Sequence, residues 1–113
     1  MEKHYKLFKI KELADNDEEF IHTLAVAFLE EVPEDARVLQ IAVDSRDYLA
    51  AYRTAHKMKP TVDLFQLGVL EDLIEVQDWG KFEQRDKDIT VQLNKVMTAI
   101  DNTIAELKED YSL

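Results

Sequence analysis

Apolar residues recur along this chain at steps of three and four. Ile21, Leu24, Phe28, Val32, Ala36, Leu39 and Val43 form the longest such series, the spacing of one face of a helix. Asn16 or Asp17 can cap that helix, and Glu18 and Glu19 suit its first turn. The series passes Pro33 without a change of phase, which favours one long helix bent near residues 29 to 33 over two separate ones. A short helix from about Leu7 to Ala14 precedes it. Ser45-Arg46-Asp47 is the next punctuation, with Ser45 or Asp47 as cap. A third helix then carries Ala51, Ala55, Met58, Val62 and Phe65, and Gly68 marks its end or a sharp bend. The spacing predicts a fourth helix from about Val69 to Asp78, with Leu70, Leu73, Ile74 and Trp79 inward and Trp79-Gly80-Lys81 as its last turn. A final helix, roughly Glu83 to Asp110, has Ile89, Leu93, Val96, Ile100, Ile104, Leu107 and Tyr111 on one stripe.

Composition narrows the fold. Two glycines and two prolines in 113 residues are too few turn residues for a sandwich or barrel. Four amphipathic helices with short connections predict an all-α, antiparallel four-helix bundle with a short extra N-terminal helix. Residues 1–113 are expected to form a single domain, since a chain of this length buries roughly two-thirds of its unfolded surface. A hydrophobic fraction of 46% is too high for a disordered acidic tail.

Charge and cysteine content exclude several functions. The net charge is −10, which argues against binding a nucleic-acid backbone, a task for clustered Lys and Arg. Without cysteine there is no disulfide, thiolate zinc site or cysteine nucleophile. The most apolar run, Leu24 to Leu29, stops at Glu30 and Glu31, far short of the ~18 residues of a membrane span. No apolar signal segment follows the N-terminus. The expectation is a soluble, cytoplasmic protein.

Few residues could carry chemistry. Di-iron bundles need two Glu-x-x-His pairs, and Glu19-Phe20-Ile21-His22 is the single one here; no metal site is expected. Gly-rich phosphate loops and Gly-x-Ser-x-Gly elbows are absent, so no ATP site is expected either. His4 falls in a terminus expected to fray, and His22 lies beside the stripe of the second helix. Trp79, Met58 and Met97 read as packing. His56 is different. At ~100° per residue it points roughly 140° from the core stripe of the third helix, out to solvent. Lys59 and Pro60 share its face, with Arg53 one turn before and Asp63 one turn beyond. A neutral imidazole in water can attack a phosphoryl group, and a lysine one turn away supplies a cation for the dianionic product.

The segment Ala55-His56-Lys57-Met58-Lys59 with Gly68 resembles the motif of the histidine-containing phosphotransfer (HPt) domain family. The resemblance extends to Asp17-Glu18-Glu19-Phe20, to Phe28-Leu29-Glu30-Glu31-Val32-Pro33-Glu34, to Asp47-Tyr48-Leu49 and to the spacing between them. Two positions depart from it. Pro60 stands where the family most often has glycine, and Gly68 lies twelve residues after His56, one or two further than usual. The resemblance implies a monomeric phosphocarrier. A phosphoryl group would pass from the aspartate of one receiver domain to His56 and on to the aspartate of another. Lys59 would support the phosphate, and receivers of a hybrid histidine kinase or a response regulator would be the partners. Mg²⁺ would reside on the receiver, so this chain would need no cofactor and would not be an enzyme by itself. Neither nucleic acid nor membrane would be a partner. Against a body of net charge −10, docking is expected to be largely apolar, through Leu49, Pro60 and Leu64, with Arg53 and Asp63 beside them. The competing reading is a non-catalytic helical adaptor that uses the same face.

Overall fold

The expected helical segments are helical, and no strand occurs among residues 4–113, the part of the chain that this computed structural model describes. The elements are α1 (Phe8–Ala14), α2 (Glu18–Asp44), α3 (Tyr48–Leu64), α4 (Leu70–Lys81) and α5 (Thr90–Asp110). Asp17, not Asn16, caps α2: its carboxylate accepts from the backbone N–H of Glu19 at 3.0 Å and of Phe20 at 3.4 Å. The helix runs unbroken through Pro33. At ~1.5 Å per residue its length comes to ~40 Å, nearly the 45 Å long dimension of the molecule. Asp47 caps α3 through the Ala50 N–H at 3.1 Å, while the Ser45 hydroxyl turns back to the Ile41 carbonyl at 2.7 Å.

Two expected boundaries are corrected. The third helix stops at Leu64, before Gly68. Gln66 adopts a left-handed conformation with φ 52°. Its N–H bonds the Asp63 carbonyl at 3.1 Å, and the Leu67 N–H bonds the Val62 carbonyl at 3.2 Å. This double closure is a Schellman motif, and buried Leu67 seals it. The fifth helix starts at Thr90, not near Glu83, while α4 extends to Lys81. Between them Glu83 is left-handed at φ 46°. Its N–H bonds the Gly80 carbonyl, and the next N–H, of Gln84, bonds that of Trp79. The Trp79 indole N–H then donates to the Lys87 carbonyl at 3.0 Å, which pins the loop against the bundle.

Pairs of residues distant in sequence fall as antiparallel neighbours require. Lys57 of α3 meets Asp35 of α2 at 3.0 Å, and the His22 ring of α2 meets Tyr111 beyond the end of α5 at 5.9 Å. The apolar faces close on Phe28, Leu39, Met58, Val62, Leu73 and Val96, all buried. Phe28 packs on Phe65 with ring centroids 4.7 Å apart, and Tyr48 on Trp79 at 4.6 Å. The fold is thus an all-helical bundle of four long helices with a short N-terminal one. The segment from His4 is not frayed: the Tyr5 hydroxyl donates to Asp110 at 2.5 Å and the Lys6 N–H to the Phe65 carbonyl at 2.8 Å. No helix among the described residues is long and apolar enough to cross a membrane.

Candidate functional site

Helix α3 is held from beneath by Ala51, Ala55, Met58 and Val62, each at most 2% exposed. With that stripe inward, His56 is exposed on the outer face near the middle of the helix, as the periodicity requires. Its ring lies 5.9 Å from that of Tyr52, one turn earlier, at an interplanar angle of 35°. Lys59 is half-buried and Pro60 exposed on the following turn. Pro60 lies inside the helix. Having no N–H, it leaves the His56 carbonyl without its usual intrahelical donor.

The charged residues around His56 divide by whether an opposite charge already engages them. Lys57 pairs with Asp35, whose hydrogen bond and charge hold the ammonium above its ordinary pKa. Asp63 pairs with Lys9 of α1 at 2.8 Å. Arg53 and Lys59, three residues before and after His56, form no ion pair among the described residues. They lie one turn to either side of the imidazole.

The other residues expected on this face separate. Leu49 is 56% exposed, on the turn before Arg53. Leu64 is half-buried and packs against the core, whereas Leu49 is largely exposed. At the C-terminal end of α3 the chain at Phe65 takes a hydrogen bond from Lys6, and α1 is tied down through Lys9. An open hollow of about 510 Å³ lies at the other end, lined by Arg46, Asp47, Tyr48, Leu49, Glu83 and Arg85. Within it the Arg85 guanidinium sits 5.5 Å from the Tyr48 ring, and Arg46 donates to the Arg85 carbonyl at 3.2 Å.

Gln77 was not singled out from the sequence. It is 8% exposed, and its side-chain oxygen has no hydrogen-bond partner. Gly80, one turn later on the same face of α4, abuts the backbone of Tyr48 and Tyr52. In an antiparallel pair that register brings Gln77 level with Tyr52 and His56. The signal for it was a polar residue in phase with Leu70 and Leu73.

Chemically, the arrangement offers an exposed imidazole on a helix anchored by its buried stripe, with an uncommitted cation one turn away. That suits a nucleophile whose product is an anion. Comparison of the chain with protein-family models, curated proteins and solved structures finds no match.

Proposed function

We propose that this protein is a histidine phosphotransfer protein, a phosphocarrier that relays a phosphoryl group between receiver-domain aspartates through His56. The observation that carries the reading is an exposed His56 at mid-helix with Lys59, unpaired by any carboxylate, one turn away. In the accepting step a ring nitrogen of neutral His56 attacks phosphorus of an aspartyl phosphate. An N–P bond forms as the acyl P–O bond breaks, and the electron pair leaves on the partner's carboxylate. Lys59 stabilises the charge gathered at His56. The reverse attack by a second receiver's aspartate returns the imidazole. Mg²⁺ belongs to the receiver in this scheme, and the chain acts as a cytoplasmic monomer with no cofactor of its own.

The test is incubation with a panel of purified, phosphorylated receiver domains, followed by mapping of acid-labile phosphate. The wild type should acquire phosphate on His56. His56→Gln should acquire none, with its stability changed by less than about 0.5 kcal/mol, as for exposed positions generally. Acid-labile phosphate persisting on His56→Gln would overturn the assignment. Binding to a receiver without transfer, retained by His56→Gln, would make the protein an adaptor.

A further inference from the structure

The two ends of α3 present different surfaces to a partner that reaches His56. Past Lys59 and Pro60, at the C-terminal end, the groups are already engaged: Asp63 holds Lys9, and Leu64 packs on the core. On the N-terminal side of His56, Leu49 and Arg53 are not engaged in this way. Leu49, Arg53 and His56 follow one another at steps of four and three on one face. Leu49 is 56% exposed, and Arg53 has no carboxylate partner among the described residues. Beyond Leu49 opens the hollow lined by Arg46, Tyr48 and Arg85 together with Asp47 and Glu83, the latter paired with Arg85 at 3.6 Å.

The charge is equally uneven. From Tyr48 to Val62 the helix carries Arg53, Lys57 and Lys59 and no carboxylate, in a chain whose net charge is −10. Lys57 leans to Asp35 of α2, which leaves Arg53 and Lys59 as the uncompensated charges beside His56. A cationic strip on an otherwise acidic body attracts an acidic surface only in this orientation.

We infer that the partner docks over the N-terminal half of α3, with Leu49 and Arg53 as its apolar and charged contacts, and that the matching face of the partner is an acidic rim around an apolar side chain. The inference rests on the phosphocarrier reading, in which the partner is a receiver with an acidic phosphorylation pocket. It makes docking one-sided. The receiver extends from His56 toward the hollow at Arg46 and Tyr48, away from α1. Exposed Phe8 on α1, 67% accessible and tied by its neighbour Lys9 to the far end of α3, lies outside the contact.

The experiment uses the full chain and a receiver domain that phosphorylates the wild type. Leu49→Asp and Arg53→Glu should each lower kcat/KM for phosphoryl acceptance about tenfold or more, with circular dichroism and melting unchanged. Phe8→Ser should stay within about twofold of wild type. Raising the salt from about 50 to about 300 mM should slow the wild type several-fold and Arg53→Glu less. Undiminished acceptance by Leu49→Asp and Arg53→Glu, or a loss in Phe8→Ser as large as theirs, would overturn the one-sided footprint while His56 remains the carrier. A wild type that accepts phosphate from no receiver would overturn the carrier reading and this inference together.

Discussion

Lys59 and Leu64 sit on the same helix, five residues apart, yet differ in how far their positions follow from helical phase. The period alone puts Lys59 one turn beyond His56, and the structure keeps it there, half-buried and unpaired. Its charge favours the dianionic product over the neutral imidazole, by on the order of 1 kcal/mol for a charge-assisted contact near the surface. Lys59→Ala should therefore reduce the rate or extent of His56 phosphorylation several-fold without abolishing it, measured with the same receiver. A rate and equilibrium equal to wild type would reduce Lys59 to a solvated side chain. Leu64 has a phase that turns it from the core stripe, yet as the last residue of α3 it is half-buried against the core. A wheel of one helix does not contain that packing, which other elements supply.

Helix ends account for the boundary differences. The helices α2, α3, α4 and α5 all finish with a left-handed residue, at Arg46, Gln66, Glu83 and Ser112, and none of these is glycine. Each end closes with the paired backbone bonds already described at Gln66, as in Asp47 N–H to Ala42 carbonyl at 2.8 Å and Leu113 N–H to Lys108 carbonyl at 2.8 Å. Glycine is the usual signal for such an end, and its absence is why the end of α3 was expected at Gly68 and the start of α5 near Glu83. The glycine at position 80 has the opposite meaning. It lies within α4, where an added Cβ would sit 2.5 Å from the Tyr48 carbonyl oxygen and 2.7 Å from the Tyr52 nitrogen. Helix propensity by itself would make Gly80→Ala stabilising by roughly 0.5–1 kcal/mol. The close backbone approach should reverse the sign, with a loss of about 1–3 kcal/mol as α4 is pushed from α3. Urea unfolding decides it, with Gln66→Gly as the paired variant expected to gain up to about 1 kcal/mol by relieving a left-handed side chain. A stabilised Gly80→Ala would mean the helices separate without cost.

At the scale of the molecule, the N-terminal segment joins the end of α5 to the turn after α3. His4 donates its N–H to Glu106 at 2.9 Å, Tyr5 its hydroxyl to Asp110, and Lys6 its N–H to Phe65. Tyr5 is 4% exposed. Burial first, then the hydrogen bond to Asp110 and the nearby negative charge, raises its pKa well above the ordinary 10.0. A raised folded pKa contributes stability that is complete below the unfolded value and is lost as pH rises toward the folded one. The wild type should therefore lose stability above pH ~10 more steeply than Tyr5→Phe, which has no phenol to ionise. At pH 8 the same substitution should cost about 1 kcal/mol for the lost hydrogen bond. Urea titrations of both proteins at pH 8 and pH 11 test this, and equal losses between the two pH values would show that ionisation of Tyr5 does not govern the closure.

By itself, the sequence determined the helical class, the inward stripe of α3, the capping of α2 by an acidic cluster and the outward direction of His56 with Lys59 beside it. All of these follow from local rules: a period of 3.6, a capping carboxylate, and the scarcity of turn residues. In α4 Leu73 and Trp79 are buried as expected, while Leu70 and Ile74 are half-buried and Val76 turns inward instead. The tertiary structure decided where α3 and α5 begin or end, the inward turn of Leu64, the burial of Gln77 and the pairing that engages Lys57 and Asp63 while leaving Arg53 and Lys59 free. Apart from the helix ends, which close on their own backbone, each of these depends on a surface or charge contributed by another helix. Its position is set by how apolar faces interlock across the bundle, and no periodicity along one chain segment contains that information.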